Sequence, residues 1–264
     1  VTFLSNIPFY LITNFVFKIV DIRITLLIFF LITLLVGILI STEKTLFSII
    51  FLFNPLMVHN IFLGANDSFP LLFLFLSFVF LNFGKFSLAS TSLALALGTK
   101  LTVVPFIPPY FFYLFLKFSQ KAKGIKMVGR EILIFILVSL AIYLPFLIWS
   151  PKDLISDLIL FPLRGGEEGY PIVGVIGIPH LLAYLGLISP WSSFPFYLFQ
   201  LFPILAFLFL VYFFLKKFLQ LSMLCIISSL FFILFFATSR TFQANYLDFV
   251  SSIFILGSFL KLKK

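Results

Sequence analysis

The sequence predicts an all-α, polytopic membrane protein, and three observations carry that prediction. Hydrophobic residues make up 62% of the 264-residue chain, charged residues only 10%, and 42 residues are Phe. An ordinary soluble domain is roughly 45–50% apolar and about 25% charged. The apolar runs are continuous and uncharged over about 15–20 residues, which suits spanning helices and not the short alternating strands of a β-barrel. Finally, the basic residues cluster. Lys117, Lys121, Lys123, Lys126 and Arg130 crowd one stretch, Lys216 and Lys217 another, and Lys261, Lys263 and Lys264 close the chain. By the positive-inside rule these stretches mark the cytoplasmic side, so the expected location is the plasma membrane with a cytoplasmic C-terminus.

The net charge of +9 is therefore topological. No basic face with base-stacking aromatics accompanies it, so the lipid bilayer is an expected partner and nucleic acid is not. The single Cys225 excludes an internal disulfide and cysteine-based metal sites. Most of the recurrent Phe and Leu is expected to be lipid-facing.

With the basic stretches fixed inside, the elements thread in order. Residues 3–20 form a further span or lie along the interface. Residues 22–40 run inward to a turn at 41–44, and 45–63 run outward, with Asn54-Pro55 and His59 as their main polar breaks. Gly64-Ala65-Asn66-Asp67 then lie outside, and 70–83 return to a short cytoplasmic turn at Gly84-Lys85. Residues 86–118 must go out and back in two short arms meeting near 98–105, because Pro105, Pro108 and Pro109 deny a single straight helix. Lys100 sits at that bend. Residues 132–149 lead out, 194–215 back, 219–238 out and 246–260 in. The loop at about 150–193 is external and holds Asp153, Asp157, Glu167 and Glu168, four of the nine acidic residues. The count is nine to ten transmembrane or re-entrant helices in one integral membrane domain, residues 1–264.

On this threading the notable polar groups gather on one side: His59, Asn66, Asp67, Lys100, the stretch Arg164-Gly-Gly-Glu167-Glu168-Gly-Tyr170, His180, and residues 239–246 with Arg240, Asn245 and Tyr246. An ionisable group between two apolar spans must reach water or do a job inside the protein. Asp67 can also cap the helix that follows it. Lys100 can snorkel to the interface, and the Gly-rich stretch can be a plain connector. Arg240 can pair with Asp67 or with Asp248, which lies inside the last helix and needs a partner or water. Together these groups would make a cleft holding both signs of charge, suited to a ligand with a phosphate and hydroxyls. The chain has no Gly-rich phosphate loop, no His pair at metal spacing and no Gly-x-Ser-x-Gly elbow.

Asn54-Pro55-Leu56, His59 and Gly64-Ala65-Asn66-Asp67-Ser68-Phe69, followed by an apolar helix, resemble the central signature of the C-type (GT-C fold) glycosyltransferases. These membrane enzymes use polyprenyl-phosphate-linked sugars. Leu93-Ala-Leu-Ala-Leu-Gly-Thr-Lys100, with Pro105, Pro108 and Pro109 beyond, is similar to the family's Ala-rich helix, Lys and Pro-broken return. Thr241-Phe-Gln-Ala-Asn-Tyr246 resembles its aromatic stretch before the final helices. The likeness spans roughly residues 45–260 as loosely spaced motifs, and residues 54–69 are its most specific part.

The resemblance implies sugar transfer on the external face. It makes Asn66, Asp67, Lys100, Arg164, Glu167, Arg240, Asn245 and Tyr246 the ligand-binding candidates. Lys100, Arg164 and Arg240 would hold phosphate, and Asp67 would hold sugar hydroxyls or a divalent metal. It also implies a catalytic carboxylate in a long first external loop. The sequence opens on Val1, past that region, and Asp21 is its only acid before Glu43, so no catalytic residue is assigned. The alternative expectation is a non-catalytic accessory subunit of this fold within a larger respiratory or secretory membrane complex.

Overall fold

The computed structural model describes residues 21–119, 123–160, 171–174, 176–211, 213 and 219–260, together with Leu11 and Phe15. The described residues are all-α in class, with one pair of two-residue strands.

Asp21 caps the first described helix, α1 (Ile22–Ile38), by accepting the Arg23 amide at 2.9 Å. Next come α2 (Lys44–Leu52) and α3 (Pro55–Leu63), which meet at a 46° bend. The cause is local. Pro55 cannot donate a backbone hydrogen bond, and the Asn54 side chain caps α3 by accepting the Leu56 amide at 3.2 Å. Gly64 ends α3 at φ 72°, a left-handed conformation that glycine adopts without steric cost. It turns the chain toward α4 (Ser68–Asn82).

The proline-broken arms form as the sequence predicts. α5 (Phe86–Thr99) leads through a 3-10 turn at Leu101–Phe106 into α6 (Ile107–Phe118). The next helix, α7 (Gly124–Trp149), starts earlier than expected. Lys126 and Arg130 lie on its exposed flank instead of in a loop, so helix and basic cluster overlap.

The expected external loop has structure of its own: a short helix α8 (Pro151–Ile155), a π turn at Ser156–Leu160, β1 (Val173–Gly174) and α9 (Ile178–Tyr184). A 3-10 turn at Phe196–Gln200 then enters α10 (Leu201–Leu210). The last elements are α11 (Leu221–Ala237), β2 (Thr241–Phe242) and α12 (Tyr246–Phe259). β1 pairs in parallel with β2, Val173 against Thr241 and Gly174 against Phe242. That pairing ties the loop to the segment before α12.

The Leu101–Phe118 stretch and α7 are long and apolar enough to cross a membrane, and the bent pair α2–α3 is a third if it counts as one span. α1, α4, α5, α11, α12 and the Phe196–Leu210 stretch are shorter apolar helices of 10–17 residues.

The core lies among α1, α4, α5, α11 and α12, with α7 packed on α5 and α6. Much of the Phe is not lipid-facing. Phe47, Phe51, Phe75, Phe106, Phe118, Phe232 and Phe249 are fully buried. Ring pairs join the elements: Phe30–Phe51 at 5.2 Å links the consecutive helices α1 and α2, and Phe106–Phe232 at 5.3 Å links the 3-10 turn after α5 to the distant α11. Aromatic pairs add about 0.5–1.5 kcal/mol each beyond their buried area. α7, by contrast, turns most of its apolar surface outward.

Candidate functional site

Both ends of α12 are held. At its C-terminal end the Thr42 amide donates to the Phe259 carbonyl at 2.8 Å, and Ser41 bridges Leu260. Between the ends, Asn54 Nδ2 donates to Ser251 Oγ at 2.9 Å. The N-terminal end meets the Gly64–Asp67 turn and the bend after α5, and the candidate residues come together there.

Asp67 is 1% exposed. Lys100 Nζ donates to its Oδ1 at 2.5 Å, and Asn245 Nδ2 donates to its Oδ2 at 2.8 Å. Three segments far apart in sequence thus converge on one carboxylate. The capping alternative does not hold: Asp67 occupies the N-cap position of α4 but makes no side-chain capping bond. Snorkelling does not describe Lys100 either, since its ammonium ends on a buried acid. Asn66 is half-buried beside them in the same turn.

Arg240 corrects a second expectation. It pairs with neither Asp67 nor Asp248. It is 5% exposed, and its Nη2 donates to the Ser192 carbonyl and, at 3.2 Å, to the Phe194 carbonyl. Its guanidinium lies 5.6 Å from the centre of the Phe196 ring, a cation–π distance. Burial lowers its pKa from the ordinary guanidinium value. Asp248, 1% exposed, accepts instead from Asn60 Nδ2. Asn60 was not foreseen, although its place one residue after His59 in the Asn-Pro helix was a usable signal. His59 itself is exposed.

A cavity of about 510 Å³ opens beside this knot. Arg240, Gln200 and Tyr246 give it a polar corner, and Leu101, Tyr143 and Phe196 are among its apolar walls. Leu101 and Tyr246, which directly follow Lys100 and Asn245 in the chain, line the cavity, whereas Asp67, Lys100 and Asn245 do not. Tyr246 is fixed by its ring contact with Phe236 at 4.6 Å. Arg164 and Glu167 lie outside the described residues.

Asp21, the only acid before Glu43, is held by its own neighbour. Arg23 binds its carboxylate through Nε and Nη2, the latter at 2.6 Å, and holds the carboxyl below its ordinary pKa.

Sequence reasoning also missed a buried acid elsewhere. Glu131 on α7 is 0% exposed and accepts from Ser87 at 3.2 Å, Ser90 at 3.3 Å and Arg130 at 2.6 Å. Ser90 in turn meets the Tyr110 hydroxyl at 2.9 Å. This second knot joins α5, α6 and α7.

The trio at Asp67 does not fit a divalent metal. Both carboxylate oxygens are taken by Lys100 and Asn245, and no three His, Cys, Asp or Glu side chains come together among the described residues. The arrangement can hold an anionic headgroup near Arg240 with an apolar tail along the cavity walls. Searches against protein-family models, curated proteins and solved structures find no match to this chain.

Proposed function

We propose that the chain is a GT-C-like membrane glycosyltransferase domain of about nine to ten transmembrane or re-entrant helices, with a cytoplasmic C-terminus in a plasma membrane. It binds a polyprenyl-phosphate sugar on the external face and transfers the sugar. The observation that carries this reading is the Arg240-lined apolar cavity, two of whose lining residues, Leu101 and Tyr246, directly follow Lys100 and Asn245 of the Asp67 knot in the chain. A polyprenyl phosphate needs an apolar groove ending at a cation, and Arg is the side chain best matched to phosphate. Lys100 and Asn245 fix the bend and the start of α12, and Tyr246 and Gln200 offer polar atoms to the sugar. The reading gives the trio no divalent metal.

The test is binding and transfer by the chain in lipid nanodiscs with a radiolabelled polyprenyl-phosphate sugar. Wild type should retain the lipid, Arg240→Gln should weaken retention, and Asp67→Asn should abolish transfer while expression is unchanged. A wild-type chain that neither retains the lipid nor transfers sugar overturns the proposal.

Two observations favour a second reading, an accessory subunit of a larger membrane complex. Asp67 is closed off by its own neighbours, as a structural knot would be, and α7 turns an apolar flank outward. Stoichiometric co-purification of partner membrane subunits, with no lipid-linked sugar retained, would select it.

A further inference from the structure

Another cavity, of about 600 Å³, shares no lining residue with the one at Arg240. It lies between α1 and the bent α2–α3 pair, with Ile24, Leu27 and Leu31 on one side and Val58, Ile61 and Phe62 on the other. On α1 those positions follow steps of three and four, which is one helix face. Phe30, buried and stacked on Phe51 at 5.2 Å, closes the inner wall. Leu27, Leu31 and Phe62 are exposed, so the groove opens outward.

One end is polar. Arg23, in the first turn of α1, is the charged residue of the lining, and its side chain is more than half exposed. Asp21 takes its Nε and Nη2, and Nη1 makes no hydrogen bond among the described residues. A guanidinium carries five N–H donors in a planar fork, so the edge at Nη1 is left to receive an anion. Because Asp21 offsets the charge, the match is to a singly charged phosphodiester and not to a multiply charged anion.

Size selects the rest. Arg23 and Leu31 are eight residues apart, about 12 Å along the helix, so the groove averages about 50 Å² in section. A helix with its side chains is about 10–12 Å across and too wide to sit in it. A hydrocarbon chain is not. An apolar groove beside an apolar helix, with an Arg at its end, matches an acyl chain below its headgroup.

We propose that this groove holds one bilayer phospholipid, with an acyl chain along Leu27, Leu31 and Phe62 and the phosphodiester on Arg23 Nη1. The lipid bridges α1 and α3. This assignment stands independently of sugar transfer.

Native mass spectrometry of the full chain in detergent, titrated with dioleoylphosphatidylglycerol or with dioleoylglycerol, tests it. Wild type should retain the phospholipid about tenfold more strongly than the diacylglycerol, which has the same chains and no phosphate. Arg23→Gln should erase that preference; the backbone amide that Asp21 caps remains, so α1 keeps its start. Leu27→Trp, which fills the groove, should lower retention of both lipids with the melting temperature unchanged. Equal retention of the two lipids by wild type, a preference that survives Arg23→Gln, or retention untouched by Leu27→Trp would overturn the proposal. So would a co-purifying membrane protein that Leu27→Trp displaces while no phospholipid is retained. Should Leu27→Trp fail to fold, the wild-type preference and Arg23→Gln decide the matter. Retention of polyprenyl phosphate, which involves Arg240, should be the same in both variants as in wild type, so the two readings fail separately.

Discussion

Lys100 and Asp67, 33 residues apart in the chain, meet at 2.5 Å with the acid wholly enclosed and the base 20% exposed. The pair joins the α3–α4 turn to the break after α5. Removing one partner of such a pair strands the other charge in a poorly solvated place.

Lys100→Met should therefore destabilise the protein by about 3–5 kcal/mol, measured by denaturant titration in mixed micelles. The double variant Lys100→Met/Asp67→Leu should recover most of that loss, because neither charge is then buried alone. It should still fail to transfer sugar. A double variant as unstable as the single one would mean that the pair contributes more than mutual neutralisation.

Glu131 offers an independent check on the opposite side of the core. Glu131→Gln keeps the volume but turns one acceptor into a donor facing the hydroxyls of Ser87 or Ser90. The expected cost is about 1–3 kcal/mol, read from the same titration. Sugar transfer per folded molecule should be unchanged, since the cavity wall does not include this cluster.

Gly174 tests the strand pair. A Cβ there would lie 2.5 Å from the Phe242 carbonyl oxygen, a backbone atom that cannot step aside. Gly174→Ala should part β1 from β2 and loosen the segment carrying Arg240. Retention of polyprenyl phosphate should fall about tenfold with little change in the melting temperature. An unaltered affinity would separate the strand pair from the cavity.

Asp21 predicts a small pH effect. Arg23 holds its carboxyl below the ordinary value in the folded state, so the pair adds stability above the unfolded carboxylate range. That contribution fades as pH falls through the range toward the lower folded value. Asp21→Asn should flatten this part of the acid-side decline in melting temperature, and an identical decline in the variant would exclude the pair as its source.

Most of the helices were legible in the sequence because their boundaries are chemical. Pro55 bends one apolar stretch, Gly64 ends it, and Pro105 with Pro108 divides the next pair. The start of α7 was misread because a basic cluster marks a membrane face without forbidding helix, and Lys126 and Arg130 satisfy both conditions. At the site, Asp67, Lys100 and Asn245 were named from the sequence, but their pairing was not. Which cation reaches which acid depends on how α12 packs against the α3–α4 turn, and no local pattern encodes that. For Arg240 the charge pattern offered an acid partner beside ligand binding, and it gave no sign that the carbonyls of Ser192 and Phe194 would take its Nη2. Glu131 went unnamed: besides the adjacent Arg130, its partners Ser87 and Ser90 reach it from α5, a meeting that no local pattern encodes.

α12 is clasped at Asp67 by Asn245 and at Thr42 by Phe259, so the number of residues between the clasps is itself a structural parameter. One residue inserted midway would rotate everything beyond it by about 100° and advance it by about 1.5 Å. The two fastenings could not then both close, and the helix would have to release one face of the protein to keep the other.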